Sequence, residues 1–171
     1  MKTGYLLTDG SGRAWTIGQL LGRGTWGKTW AARDDTGREG AIKEPFGLTD
    51  LPADLAGAEG LVEICREIAE QTADWLEKAT SPAAPRLEGR LKIPGVGTAV
   101  ITPRYPTSLG RKLDAGNSLD ESLDLLCRVV VRLTEMPRPH GNLRASNIFL
   151  SERGYVVLGD PLVPALAAAW G

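Results

Sequence analysis

Gly22-Arg23-Gly24-Thr25-Trp26-Gly27 is the stretch on which the reading of this chain turns. Glycines at this spacing serve a few distinct ends. A dinucleotide-binding fingerprint needs a helix to begin at the third glycine. Here Gly27 is followed by Lys28-Thr29-Trp30-Ala31-Ala32-Arg33, a strand-like run, and then by the turn signal Asp34-Asp35-Thr36-Gly37. No helical period begins at Gly27, which sets the fingerprint aside. Two uses remain. One is a plain hairpin without a ligand; the other is a hairpin whose backbone N–H groups fold over nucleotide phosphates, with glycines keeping side chains out of the way. In the second, Trp26 sits near the hairpin tip, where its ring covers the site. Ala41-Ile42-Lys43 on the next strand favours that use, because an ammonium facing such a loop pairs with the α- and β-phosphates.

Working outward, Trp15 to Leu21 and Glu39 to Glu44 read as further strands of the same meander. Between Leu51 and Ala79 the period becomes helical, with Leu61, Ile64, Cys65, Ile68, Thr72, Trp75 and Leu76 as the apolar face. Ser81-Pro82-Ala83-Ala84-Pro85 ends that helix. Strands are predicted at Arg86–Lys92 and Thr98–Thr102, turning through Pro94-Gly95-Val96-Gly97. A short helix at Ser108–Leu113 and a longer one from Leu119 to Glu135 follow, the latter broken by Pro137 and Pro139. Asn147–Leu150 and Tyr155–Leu158 read as two small strands, and the tail from Pro161 is apolar and uncharged. This order predicts an α+β, two-lobed arrangement.

The bulk properties narrow the class. The 171 residues are 42% hydrophobic, enough to bury a real core, and the net charge is -1. Lys and Arg are spread along the chain, so no nucleic-acid footprint is expected. No apolar run approaches the roughly 20 residues that span a bilayer. Met1 to Asp9 lacks the pattern of a secretory signal. Cys65 and Cys127 both lie in apolar helical stretches and read as reduced core residues. A cytoplasmic protein is expected.

Two further motifs carry a family resemblance. His140-Gly141-Asn142-Leu143-Arg144-Ala145-Ser146-Asn147-Ile148-Phe149-Leu150 resembles the protein-kinase catalytic loop H-R-D-L-x-x-x-x-N-I-L-L, and Gly159-Asp160-Pro161-Leu162 stands where a kinase has D-F-G. With the glycine loop and Lys43, four motifs fall in kinase order from Trp15 to Leu162. The resemblance implies a kinase-like small lobe and hinge at 1–104, complete with its β-strands and one long helix, and a truncated helical large lobe at 105–171. It implies ATP under Gly22, Gly24 and Gly27, with Leu21 and Ala41 against adenine. Thr102 and Arg104 would supply hinge backbone groups on either side of Pro103, and Ile101 would be the gatekeeper. Asn147 and Asp160 would hold Mg²⁺ through oxygen, with Arg144 near the γ-phosphate. A helix glutamate, Glu63 or preferably Glu67, would pair with Lys43. His140 reads as a packing residue beneath the loop.

The departures weigh against turnover. Asn142 occupies the catalytic Asp position, and a neutral amide accepts no proton from a substrate hydroxyl. Losing a general base costs about 10²–10⁴ in rate. Gly141 replaces an Arg, Arg144 a Lys, and Pro161-Leu162 the Phe-Gly pair. The resemblance stops before any activation segment or peptide platform. His-Gly also resembles aminoglycoside and choline kinases, which need the same Asp and lack this glycine loop. The chain therefore reads as a truncated pseudokinase that offers a surface to a partner and has ATP and Mg²⁺ as possible ligands. The partner is a second copy or an adjoining domain, met through a bare apolar face carrying Leu123, Leu126, Val130 and Leu133 and the tail residues Val163, Leu166 and Trp170. An active phosphotransferase using Lys43, Asn147 and Asp160, and an interaction domain without nucleotide, are the alternatives.

Overall fold

The computed structural model describes residues 1–170, Trp170 by its backbone alone. The chain divides into two compact units. The first comprises Met1–Glu77, Arg86–Arg104 and the residues from Val163 onward; the second comprises Lys78–Pro85 and Tyr105–Leu162.

The first unit is built on an antiparallel sheet of β1 (Leu6–Thr8), β2 (Ala14–Arg23), β3 (Gly27–Asp34), β4 (Glu39–Pro45), β5 (Gly89–Ile93) and β6 (Gly97–Pro103), in the order β1-β2-β3-β4-β6-β5. Two turns of one design set its first hairpins. In Asp9-Gly10-Ser11-Gly12-Arg13 the Asp9 carboxylate accepts from the Ser11 N–H and hydroxyl and the Arg13 N–H. In Asp34-Asp35-Thr36-Gly37-Arg38 the Asp34 carboxylate accepts from the matching groups of Thr36 and Arg38. Gly12 and Gly37 take φ of 87° and 88°, the left-handed region that glycine enters without penalty. The first turn creates β1, a strand that the sequence reading did not include.

Strand alternation gives the sheet two different faces. Trp15, Ile17, Ala32, Ile42, Leu91, Ala99 and Ile101 form an apolar core on one, with Trp30 and Leu7 packed against it. The other carries Val100, which packs with Ala73 and Leu76 of helix α1 (Ala58–Lys78). Arg90 and Lys92 of β5 hold the same helix through Asp74 and Glu70, at 2.9 and 2.6 Å. Helix α1 begins later than the period change at Leu51 indicates. Pro52 and Gly57, whose φ is 77°, keep the preceding residues in turns. Its buried row is Val62, Cys65, Ile68, Ala69, Thr72, Ala73 and Leu76, whereas Leu61 and Ile64 are exposed. The small alanines, rather than the large residues, mark the close approach. Helix α4 (Pro164–Trp170) belongs to this unit, and Val163 and Leu166 are buried in it. The bare apolar tail expected from sequence is corrected to that extent; the Trp170 side chain lies outside the described residues.

The second unit contains β7 (Thr107–Ser108), α2 (Leu109–Asp114), α3 (Leu119–Thr134), β8 (Ile148–Leu150) and β9 (Val156–Leu158), the strands pairing as β7-β8-β9. Ser108 caps α2, and Ser118 with Glu121 forms a reciprocal capping box on α3. Val129, Leu125 and Leu133 turn into a core of Leu109, Ile148, Leu150, Val156 and Leu158. The neighbouring row, Leu119, Leu123, Leu126 and Val130, is exposed, whereas Leu133, expected on the same bare face, packs inward. Cys65 is buried and Cys127 exposed, both as free thiols, so Cys127 is not the core residue its apolar neighbours imply. No described helix is long and apolar enough to cross a membrane.

A buried ionic cluster closes the edge of the first unit. Lys28 lies 3.1 Å from Glu44 and 2.7 Å from Asp50, and Trp30 Nε1 donates to Glu44 at 2.8 Å. Burial alone would raise the Asp50 carboxyl, but the Lys28 and Gly47 hydrogen bonds and the charges of Lys28 and Arg23 outweigh it, so its pKa falls below 3.8. Burial depresses Lys28, but Asp50 and Glu44 more than reverse this, lifting it above 10.5. The Asp50 contribution is therefore full above its ordinary pKa and lost as pH falls through the depressed one. The Lys28 contribution is full below its ordinary pKa and lost as pH rises through the raised one. Urea unfolding across pH 2–10 should show Asp50→Asn with a shallower loss of stability on the acid side. At neutral pH it should be about 1–3 kcal/mol less stable than wild type. An unchanged acid slope would remove Asp50 from this role.

Candidate functional site

The glycine loop joins β2 to β3 and is drawn tight by backbone bonds. Gly24 N–H donates to the Gly27 carbonyl at 2.8 Å, and Phe46 N–H to the Trp26 carbonyl at 3.1 Å. Gly27 is sterically compulsory: a Cβ there would lie 2.1 Å from the Glu44 carbonyl oxygen. A Cβ on Gly24 would lie 3.5 Å from Lys43 Nζ, whereas one on Gly22 would meet nothing. Lys43 stands opposite Thr29 and Val100 in the sheet, with its ammonium under the loop. Trp26 does not project from the tip. It is 2% exposed, and its ring centroid lies 4.1 Å from Lys43 Nζ.

Of the other residues expected at a nucleotide in this unit, Leu21 and Ala41 are half-buried and Ile101 is fully buried. Thr102 pairs with Ala41 and Pro103 with Gly40 in the β4–β6 ladder. Arg104 reaches back to Glu39 at 3.1 Å. Glu67, expected toward Lys43, lies on the exposed side of α1, where its carboxylate accepts from Gln71 at 2.9 Å. Glu63 pairs with Arg66 at 3.1 Å. The buried row of α1 carries no acid.

The other expected residues lie in the second unit. Asn142, nearly fully buried, donates from Nδ2 to the Asp160 carbonyl at 2.8 Å; its Oδ1 is buried without a hydrogen-bond partner. Asn147 Nδ2 donates to the Asn142 carbonyl at 3.1 Å, and Gly159 N–H to the Asn147 carbonyl at 2.8 Å. Leu162 N–H donates to the His140 carbonyl at 2.9 Å. These bonds lace the His140–Asn147 loop to Gly159–Leu162. Asp160 is the one described non-glycine residue with positive φ, at 52°. His140 is buried with both ring nitrogens unpartnered. Burial pushes its pKa down, against an upward pull from nearby Gly159 and Leu158 backbone and the Asp160 charge. Arg144 is exposed, just before a 3₁₀ turn at Ala145–Asn147.

Two departures from the kinase pattern prove to be coupled. Gly141 has φ of 72°, and a Cβ there would lie 2.6 Å from Leu162 Cβ. An Arg has no room at 141 while a Leu stands at 162. Phe149 is fixed similarly. Tyr105 stacks on it with ring centroids 5.6 Å apart, and a Cβ on Gly159 would come within 2.5 Å of its ring. Neither Gly159 nor Tyr105 was singled out from sequence; a glycine directly before the motif Asp is the signal that could have found the first.

Asn147 and Asp160, the residues expected to meet Mg²⁺, offer oxygen atoms only. Asn147 Nδ2 is committed to the Asn142 carbonyl, which leaves its Oδ1, accepting from the Ser146 hydroxyl at 3.3 Å, as the atom of this residue that could meet a cation. No cluster of three or more His, Cys, Asp or Glu side chains exists among the described residues. Two oxygens suit an ion held mainly by water and phosphate, not a self-contained protein cage.

No protein-family profile and no curated protein matches the chain. Among solved structures it is similar to vaccinia related kinase 3, at 22% identity and a TM-score of 0.62, over 94% of this chain and 51% of that one. The chain thus has a protein-kinase-like fold and spans about half the length of that kinase.

Because the Asn142 amide N–H is a structural donor, Asn142→Asp should not simply restore an enzyme. It sets a carboxylate against the Asp160 carbonyl and should lower stability by about 1–3 kcal/mol in urea unfolding. Equal or greater stability would contradict the bond. Gly141→Ala should cost about 2–4 kcal/mol, from overpacking and the left-handed backbone together. In a Leu162→Gly background the same substitution should cost measurably less.

Proposed function

We propose that this chain is a kinase-like nucleotide-binding module without efficient phosphoryl transfer, a pseudokinase whose output is a protein contact. The observation that carries the reading is the state of Asn142. The residue in the general-base position is an amide, buried and tied to the Asp160 backbone. In this reading the first unit would supply the glycine loop and Lys43, with Leu21, Ala41, Thr102 and Arg104 around adenine. For Mg²⁺ the kinase resemblance implies Asn147 and Asp160, with Arg144 as a further cation. The metal would neutralise phosphate charge, which positions the nucleotide without needing a base. An active phosphotransferase, the alternative reading, would use the retained Lys43, Asn147 and Asp160.

The contact we propose is with a second copy, through α3. Leu119, Leu123, Leu126 and Val130 follow a 4-3-4 spacing on its exposed side, the seam of a paired helix. Asp120, Glu121 and Asp124 occupy the first half of α3, and Arg128 and Arg132 the second. These charges lie on the side of α3 away from that row, with Asp124 and Arg128 paired at 2.7 Å within the helix, so the contact rests on the apolar row, and Cys127, next to Leu126, reports on it. An interaction domain without nucleotide is the second reading, favoured by the outward Glu67 and by Trp26 over Lys43.

Thermal unfolding with ATP, with and without Mg²⁺, separates the readings. Binding to the folded state alone adds about 2.7 kcal/mol at a hundredfold excess over Kd. We expect a Mg²⁺-dependent rise that Lys43→Ala abolishes; a flat response at millimolar ATP favours the second reading. For the contact, sedimentation at micromolar concentration should show a dimer, joined by a short bismaleimide at Cys127 and dissociated by Leu126→Glu. A monomeric wild type would instead leave the α3 face to an adjoining segment or another protein.

A further inference from the structure

We infer that Trp26 is an internal competitor for the nucleotide phosphates, holding the Lys43 ammonium until phosphate displaces it. The inference rests on the nucleotide reading above and adds a control on the same site. Three observations in the first unit carry it. The indole face lies 4.1 Å from Lys43 Nζ, inside the range of a cation–π contact. The ring is 2% exposed, although Arg23 and Thr25 of the same loop are exposed. The loop itself is pulled closed, with Gly24 N–H bonded to the Gly27 carbonyl, and a Cβ on Gly24 would lie 3.5 Å from the same ammonium.

These contacts have a chemical consequence. A phosphate oxygen bonds an ammonium at about 2.8 Å, a shorter approach than the ring makes. On the side of Nζ that the indole faces, ring and phosphate cannot both make contact. Phosphate charge outcompetes a ring quadrupole once it arrives, but arrival turns an apolar indole out of its buried place. The Gly24 N–H is also committed to Gly27 and must be released before it can meet an anion. The closed arrangement therefore lowers apparent affinity by the fraction of molecules with Trp26 displaced. The effect is selective, because a ligand without phosphates does not compete for Lys43.

The test is equilibrium binding of ATP and of adenosine to wild type, Trp26→Leu and Trp26→Phe. Leu keeps apolar bulk while removing the ring face. We expect Trp26→Leu to bind ATP about tenfold more tightly, Trp26→Phe to fall between it and wild type, and adenosine affinity to stay unchanged. ATP binding equally or more weakly to Trp26→Leu would overturn the inference while leaving the nucleotide reading intact. So would ATP and adenosine shifting together, the mark of a merely loosened fold. No ATP binding by any of the three proteins would remove both. If Trp26→Leu does not fold, the tryptophan emission of wild type minus that of Trp26→Phe isolates residue 26. A red shift of that difference on ATP addition supports displacement, and an unchanged difference spectrum with bound ATP rules it out.

Discussion

Strand β4 alternates, and most of the candidate chemistry of the first unit depends on that alternation. Ile42 and Glu44 point to one side of the sheet, Ala41 and Lys43 to the other. On the first side Glu44 meets Lys28 and Trp30 and anchors the edge of the sheet. On the second, Lys43 is delivered beneath the glycine loop. Between them the Glu44 carbonyl approaches Gly27 so closely that no other residue fits there. A slip of one residue would exchange Lys43 for Glu44, placing a carboxylate under the loop and an unpaired ammonium in the core. The buried ionic cluster thus acts as a register device for the lysine.

The second unit is organised around backbone groups and amides. Asn142, Asn147 and Gly159 bond to one another's surroundings and fix the path that brings Asp160 into a left-handed conformation. Gly141 and Leu162, each odd against the kinase pattern when taken alone, occupy one steric niche together. The two residues are sterically matched, and at Asn142 a neutral amide sits well where a carboxylate would face a carbonyl oxygen.

Much of this was legible in the sequence because the motifs are dense and local. The strands from Ala14 to Pro45, the capped helices α2 and α3 and the two small strands after Asn147 all follow from turn chemistry and period. What escaped has identifiable causes. Asp9-Gly10-Ser11-Gly12-Arg13 repeats the pattern of Asp34-Asp35-Thr36-Gly37-Arg38, so β1 could have been read from the second turn. The buried face of α1 was set by alanines at a close helix–sheet contact, which large-residue counting overlooks. Cys127 resembled a core thiol only because its neighbours include the exposed row of α3. The side-chain placements of Glu67 and Trp26 depend on tertiary packing, and no local spacing encodes them.

A nucleotide held without turnover is tested most directly by a single-turnover filter assay. Excess protein is mixed with γ-labelled ATP and Mg²⁺, and retained label is separated into ATP and inorganic phosphate over time. The account predicts label retained on the protein as intact ATP, with phosphate release no faster than without protein. Mg²⁺-dependent release that is lost in Asp160→Ala would contradict it, and so would a failure to retain ATP at all.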